Sequence, residues 1–72
     1  MPYVNIKVTR EGLSSEQKAA LIRQSTKMLV DILGKDPATT VVLIDEVDTD
    51  NWGIAGETVT VRRRQAAAEG PR

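Results

Sequence analysis

The 72-residue chain contains no cysteine, no histidine and no phenylalanine, and its only aromatic residues are one Trp and one Tyr. Without cysteine, neither a disulfide framework nor a thiolate site is available, and without histidine the usual neutral-pH base and metal ligand is missing. A domain this short buries only about 60% of its unfolded surface, and small domains without such staples often gain core by assembling. The sequence therefore predicts an oligomer whose chemistry uses other groups.

The chain also has no net charge, because ten basic residues balance ten acidic ones, and its pI is near 6.2. No overall field would recruit nucleic acid or an acidic membrane surface. No apolar run approaches the roughly 20 residues needed to span a bilayer, and the start lacks the layout of a signal peptide. We expect a cytoplasmic protein that has neither nucleic acid nor a membrane as partner.

The first two thirds of the chain read as strand, helix and strand. Side chains alternate from residue 2 to residue 8, as in a strand. Ser14 followed by Gln17 predicts a capped helix start, and Gly34 predicts the helix end. The β-branched stretch "TTVVLIDEV" indicates a second strand that is covered on both faces. This order predicts a right-handed crossover between parallel strands.

The last third is rich in turn residues. "DTDNWGIAGE" indicates a connector, and the alternation in "TVTVRRR" predicts a short final strand or hairpin. We expect a single domain over residues 1–64 and a disordered tail over residues 65–72. The predicted fold class is α/β: a β-α-β unit with parallel strands plus a short C-terminal strand or hairpin. Its open edges favour assembly into an oligomer.

Pro2 admits two interpretations. Proline is tolerated as the first residue of a strand, which needs no chemistry. If Met1 is trimmed, however, Pro2 becomes a free secondary amine, and an α-amino group titrates near 7.7–8.0 even unperturbed. Desolvation in an apolar pocket lowers this pKa further, and a neutral amine can then act as a general base without histidine.

The chain resembles the 4-oxalocrotonate tautomerase family. The likeness is carried by "PYVNIKV" at the start, "EGLSSEQKAALI" at the helix entry, Glu46 at the end of the second strand and "NWGIAGE" before the last strand. It implies that Pro2 is the catalytic residue, shuttling a proton between carbon and oxygen of a small enol or α-keto carboxylic acid. It also implies a homohexamer, a trimer of dimers with shared active sites, and a tautomerase that needs no cofactor and no metal.

The sequence departs from the family pattern at two substrate-binding arginines, because Leu13 and Val41 stand where arginines are expected. Arg10 resembles an arginine that dehalogenase relatives use, and it is the candidate substitute. A strand of eight residues spans roughly 25 Å, so Arg10 would have to reach the Pro2 of a neighbouring subunit. The alternative is an exposed loop arginine that pairs with Glu11.

Trp52 occupies the place of the family's pocket aromatic, where an indole would supply an apolar wall beside the amine. The alternative is a plain interface anchor. Ile54, two residues later, stands where hydrating dehalogenases need a water-activating acid, and Thr39 and Thr40 stand near the acid position of related decarboxylases. Neither activity is expected. The resemblance implies that Arg10, Trp52 and Ile54 bind the substrate.

The sequence contains two charged clusters that could form binding sites. The arginines at 62–64 lack interleaved aromatic residues and are interpreted as a solvated strand end rather than a nucleic-acid site. The four acids between Asp45 and Asp50 do not have the spacing of an EF-hand loop and indicate an acidic turn. The competing hypothesis for the whole chain is a non-catalytic tautomerase-like oligomer or ligand-binding protein that has lost its arginine clamp.

Overall fold

The structure, a computed structural model, describes residues 1–69. Two strands and a long helix form the main unit, and a small hairpin and a second helix follow. The elements are β1 (Tyr3–Thr9), α1 (Ser15–Leu33), β2 (Val41–Val47), β3 (Gly53–Ile54), β4 (Glu57–Thr58) and α2 (Val59–Ala68). None of the helices within residues 1–69 is long and apolar enough to cross a membrane.

The β-α-β unit predicted from the sequence is confirmed. β1 and β2 pair in parallel, in a register that runs from Tyr3 beside Val41 to Thr9 beside Val47. Backbone hydrogen bonds continue the ladder past both ends. The Val41 N–H donates to the Pro2 carbonyl at 3.0 Å, and the Arg10 N–H donates to the Val47 carbonyl at 2.8 Å. Pro2 and Arg10 are therefore tied to opposite ends of one sheet.

Both predicted ends of α1 are confirmed. The Ser14 hydroxyl accepts a hydrogen bond from the Gln17 N–H at 3.0 Å, and the Gln17 side chain accepts one from the Ser14 N–H at 2.9 Å. This reciprocal capping box satisfies donors that have no partner inside the helix. At the other end Gly34 adopts a φ of 64°, a left-handed conformation that costs glycine little.

A single chain leaves most of its apolar side chains partly open to solvent. Among residues 1–69 only Val59 is buried, while Leu43 is 46% exposed and Ile32 is 73% exposed. The Cα radius of gyration is 16.4 Å, against about 11 Å for a compact domain of this length. The two covered faces predicted for β2 are thus not present within one chain.

The C-terminal hairpin is confirmed, but the final strand predicted over "TVTVRRR" is wrong. β3 pairs with β4 around Ala55 and Gly56, which both have positive φ as two-residue hairpin loops require. β4 ends at Thr58, whose hydroxyl accepts a hydrogen bond from the Val61 N–H at 3.2 Å and caps α2. Arginine, glutamine and alanine are strong helix formers, and they outweigh the short valine and threonine alternation.

The helix α2 also continues into the stretch that was expected to be a disordered tail. Gln65–Ala68 are helical, so for these residues the sequence-based expectation is wrong. Residues 70–72, the end of that stretch, lie outside the described residues. The assignment of one domain to residues 1–64 stays a prediction.

Candidate active site

Pro2 lies immediately before β1 and is half-buried. Its carbonyl is held by the Val41 N–H at 3.0 Å, which fixes the strand start against the start of β2. Proline lacks a backbone N–H inside the chain, so this position costs no ladder hydrogen bond. A nitrogen at this place would be carried on a rigid strand rather than on a loose end.

Arg10 lies at the opposite end of β1 and does not pair with Glu11. Its Nε donates to Asp48 Oδ1 at 2.7 Å, and its Nη2 donates to the Glu46 carbonyl at 3.3 Å. The alternative interpretation, an exposed loop arginine that pairs with Glu11, is wrong in its partner, because Glu11 is bound elsewhere. Its carboxylate accepts hydrogen bonds from the Thr9 hydroxyl and from the Arg63 guanidinium. Arg10 is thus fastened to the end of β2.

Trp52 and Ile54 line one groove, which lies far from the chain's own Pro2. The groove, about 850 Å³ in volume, runs between the end of β1 and α2. It is lined by Val8, Thr9, Glu11, Trp52, Ile54, Val59, Arg62, Arg63, Gln65, Ala66 and Glu69. The Trp52 carbonyl accepts a hydrogen bond from the Val59 N–H at 2.8 Å, which anchors α2 over this groove.

The structure therefore places the predicted residues at two separate ends of the sheet. Pro2 stands at one end, and Arg10, Trp52 and Ile54 stand at the other. The seven residues of β1 lie between Pro2 and Arg10, so the two are eight residue steps apart, a span of roughly 25 Å. A small carboxylic acid cannot bridge that distance, so one chain alone does not assemble these residues around one substrate.

Three of the four acids in β2 and the following turn have basic partners, and Arg10 is the partner of Asp48. Asp45 accepts hydrogen bonds from Lys7 at 2.8 Å and from Asn5 at 3.0 Å, and Glu46 forms an ion pair with Lys18. Within the described part of the chain, no group of three or more acidic, histidine or cysteine side chains is arranged to hold a metal ion. The cluster binds lysine and arginine side chains across the fold.

Two carboxylates have pKa values below their ordinary range. Hydrogen bonds from Lys7 and then from Asn5, with the charge of Lys7, lower the pKa of Asp45, and Asp45 in turn raises the pKa of Lys7. The hydrogen bond from Thr9, followed by the hydrogen bond and charge of Arg63, lowers the pKa of Glu11. Both groups favour the ionised form because it accepts these bonds.

The three arginines of α2 line two different pockets rather than forming a strand end. Arg62 and Arg63 both line the Trp52 groove, where Arg63 binds Glu11 and Thr9, and Arg64 lines a second pocket beside Arg10. Successive residues on a helix are rotated by about 100°, whereas a strand would have placed the first and third on one face. These roles were not predicted from the sequence because "TVTVRRR" was interpreted as a strand. The helix-forming run after Thr58 was the available signal.

Comparison with known proteins decides the family. A sequence model described as tautomerase enzyme matches residues 2–62 of this chain. The chain belongs to the tautomerase family. Its similarity to the probable tautomerase K2 of Dickeya dadantii (strain 3937) is 64% identity over 67 residues, covering 93% of this chain and all of that protein. The 2-hydroxymuconate tautomerase of Comamonas testosteroni is 45% identical over 56 residues, covering 78% of this chain and 87% of that protein.

Solved structures of tautomerases share the fold. The crystal structure of DmpI from Helicobacter pylori matches with a TM-score of 0.81 and 43% identity, covering 88% of this chain and 97% of that one. A heterohexamer 4-oxalocrotonate tautomerase from Chloroflexus aurantiacus J-10-fl matches with a TM-score of 0.73 and 28% identity, covering 83% and 95%. The resemblance to the 4-oxalocrotonate tautomerase family and the predicted fold class are confirmed. Membership supports isomerase activity in general.

The two positions where tautomerase relatives were expected to carry arginine lie far apart in this chain. Leu13 is half-buried in the loop before α1, near the Arg10 end of the sheet. Val41 is 40% exposed at the start of β2, beside Tyr3 and next to Pro2. Position 41 of this chain therefore does not supply the cation that the family pattern would place there.

Proposed function

We propose that this protein is a tautomerase that uses the amine of Pro2, freed by removal of Met1, as general base and general acid. Its substrate class is a small enol or α-keto acid with one carboxylate. The observation that carries the proposal is the position of Pro2. It is half-buried, and its carbonyl is fixed by the Val41 N–H at the start of the sheet, in a chain with no histidine and no cysteine.

The proposed reaction is a proton transfer with no net change in atoms. The neutral proline amine takes the proton of the enol hydroxyl and leaves an enolate. As the oxygen electron pair forms the carbonyl, the carbon–carbon π pair takes the proton back from the ammonium form at carbon, which yields the keto acid and restores the amine. An unperturbed α-amino group has a pKa near 7.7–8.0, so a modest desolvation would lower the pKa of this base toward neutral pH.

The proposed active site is shared between subunits. One subunit supplies Pro2 as the base, and its neighbour supplies Arg10, Trp52 and Ile54 to bind the substrate. The separation of roughly 25 Å within one chain supports this sharing. Arg10 would hold the carboxylate and stabilise the developing enolate, because preformed positive charge acts most strongly in a site from which water is excluded. Trp52 and Ile54 would supply the apolar walls.

A homohexamer built as a trimer of dimers is the proposed assembly. The exposed apolar side chains of the single chain support it, since Tyr3, Val41 and Leu43 lie 61%, 40% and 46% exposed on neighbouring positions of the sheet. A second chain that covers this face would supply the core that a domain of this size lacks. The heterohexamer known for a Chloroflexus relative is consistent with six subunits.

The test compares the parent with a Pro2→Ala variant. Mass spectrometry of both proteins first establishes whether Met1 is absent. The parent should ketonise phenylenolpyruvate or 2-hydroxymuconate, and the variant should be slower by about 100-fold or more, the usual contribution of a positioned base. Pro37→Ala, which changes a proline in the turn before β2, is the matched control and should retain activity. Retention of Met1, or equal rates for parent and Pro2→Ala, would refute the proline mechanism.

The alternative function is a non-catalytic, tautomerase-like oligomer or ligand-binding protein. The observation that favours it is the absence of the expected arginines, because Leu13 and Val41 are apolar. This alternative predicts the same assembly but no ketonisation above the rate in buffer. The parent protein's rate, measured before any variant is made, separates the two functions.

A further inference from the structure

A second, smaller pocket lies beside Arg10, and α2 contributes different residues to it than to the Trp52 groove. Its volume is about 370 Å³. Two arginines, two aspartates and two threonines line it: Arg10, Asp48, Thr49, Asp50, Thr60 and Arg64. It is therefore a polar pocket with two guanidinium groups, near the place where the proposed function requires a carboxylate to be held.

Arg10 is held in a fixed position at the wall of this pocket. Its Nε–H donates to Asp48 at 2.7 Å and its Nη2 donates to the Glu46 carbonyl at 3.3 Å. A guanidinium has five N–H donors, so three remain for a ligand. Because two bonds already fix its plane, Arg10 would lose little side-chain freedom on binding an anion.

Arg64 reaches the same pocket because α2 is tied to the turn after β2. The Thr60 hydroxyl is hydrogen-bonded to the Thr49 hydroxyl, and Thr60 lies one helical turn before Arg64 on the same face. Unlike Arg63, which binds Glu11, Arg64 forms no ion pair with any residue from 1 to 69. Its guanidinium is available to a ligand in the pocket.

The charges of the pocket limit what it can hold. Asp48 offsets the charge of Arg10, and Asp50 lies in the same lining as Arg64, so the four charged side chains sum to zero. A doubly charged ligand would meet both aspartates with no surplus of positive charge. A single carboxylate can accept donors from both guanidinium groups while keeping away from the aspartates.

We propose that Arg64 acts with Arg10 as the second cation that binds the substrate's single carboxylate. The proposal rests on the proposed function for its substrate, and it assigns to α2 the cation that the family pattern places elsewhere. Arg64 is a substrate-binding residue in this assignment, since it contacts the carboxylate and not the atoms that exchange the proton.

The experiment compares Arg64→Gln with Arg64→Lys and with Arg23→Gln, a variant that removes the same charge from the exposed side of α1. Arg64→Gln should raise the KM for phenylenolpyruvate by about 10-fold or more, as expected for loss of a charged hydrogen bond, with kcat changed by less than about 3-fold. Arg64→Lys should recover part of the loss, and Arg23→Gln should match the parent. Equal KM values for Arg64→Gln and Arg23→Gln would overturn the proposal.

A binding measurement separates this inference from the proposed function. Calorimetric titration with pyruvate, a single carboxylate that need not react, should show weaker binding to Arg64→Gln than to the parent at unchanged oligomer size. If pyruvate binding depends on Arg64 but no enol is ketonised, the pocket stands and the proposed function fails. If enols are ketonised and neither KM nor pyruvate binding depends on Arg64, the proposed function stands and the pocket fails.

Discussion

The two ends of the parallel sheet differ in chemistry. At the Pro2 end, β1 and β2 begin with Tyr3 and Val41, and both side chains are largely exposed. At the Arg10 end, ion pairs join Arg10 to Asp48 and Arg63 to Glu11. One end offers a backbone-held proline beside the apolar Val41, and the other offers arginines that pair with carboxylates.

This difference follows from the parallel arrangement. Because β1 and β2 run in the same direction, the first residues of both strands meet at one end and the last residues meet at the other. The loops that carry Arg10, Asp48 and Trp52 all follow strand ends and gather together. A base at the first strand position can join them only through a second chain, which makes assembly a requirement for the proposed chemistry.

The strongest test of this comparison mixes two inactive variants. Pro2→Ala lacks the base and Arg10→Gln lacks the cation, so each alone should be slower than the parent by about 100-fold. When the two are unfolded and refolded together, about a quarter of the shared sites should receive an intact residue from each chain, by random assembly around a symmetric oligomer. Ketonisation rates of the refolded mixture measure this recovery.

The controls for this experiment are each variant refolded alone and the two mixed without unfolding. All three should stay inactive, provided that subunits exchange slowly. A mixture that recovers nothing, although it contains mixed oligomers by mass spectrometry, would mean that one chain supplies both residues.

A second prediction adds a cation to the end that lacks one. Val41→Arg should favour the dicarboxylate 2-hydroxymuconate over the monocarboxylate phenylenolpyruvate by about 10-fold in relative kcat/KM, the value of one charged hydrogen bond. The physical reason is that the Val41 N–H donates a hydrogen bond to the Pro2 carbonyl and that the Val41 residue is 40% exposed. Val41→Gln, similar in length but neutral, is the matched control. An equal preference in both variants would show that position 41 does not face the substrate.

A third prediction compares the caps at the two ends. Ser14→Ala removes the hydroxyl that caps α1 at the Arg10 end and should lower the free energy of unfolding by about 1 kcal/mol. Asp36 accepts a hydrogen bond from the Ala38 N–H at 2.9 Å and caps only a three-residue turn at the Pro2 end. Asp36→Ala should cost about 0.5 kcal/mol. Urea unfolding of both variants measures which substitution lowers the free energy of unfolding more. Ser15→Ala, a change at a position that caps neither element, is the control.

The smallest expected effect concerns pH and the Glu11–Arg63 pair. The pKa of Glu11 is lowered in the folded chain by Thr9 and Arg63, so its contribution to stability is present above the ordinary value of 4.5. It is lost as pH falls through the lowered folded value. Glu11→Gln should therefore flatten the decline of stability between about pH 5 and pH 3. Thermal unfolding across that range measures the slope.

Glu57→Gln is the control for this prediction, since Glu57 forms no ion pair with another residue in the part of the chain that the structure describes. Glu57→Gln should leave the decline of stability with falling pH closer to that of the parent. A Glu11→Gln slope equal to the parent's would mean that Arg63 and Thr9 do not favour the ionised carboxylate.

Local signals made the first two thirds of the fold predictable. The capping box of Ser14 and Gln17, the glycine at residue 34 and the β-branched run of β2 act through nearby backbone groups, and each was confirmed. The family resemblance was also carried by short contiguous stretches. The roles of Pro2, Arg10, Trp52 and Ile54 came from that resemblance and stay predictions.

The errors arose where two local signals competed or where partners were distant in sequence. Between residues 58 and 64 a strand-like alternation overlapped a helix-forming run, and the Thr58 cap favoured the helix. The Arg10–Glu11 pair, the alternative interpretation of Arg10, joined neighbours in sequence. The observed partners, Asp48 for Arg10 and Arg63 for Glu11, lie 38 and 52 residues away. Such pairings depend on how β2 and α2 are placed.

The sequence by itself determined the β-α-β order, the ends of α1 and the family, because these depend on periodicity, caps and short motifs. Only the tertiary structure decided which charges meet. Arg10 binds Asp48 across the parallel pair, and the C-terminal helix places Arg62 and Arg63 at the Trp52 groove but Arg64 at the pocket beside Arg10. These outcomes do not follow from spacing along the chain, since they depend on the direction in which elements pack.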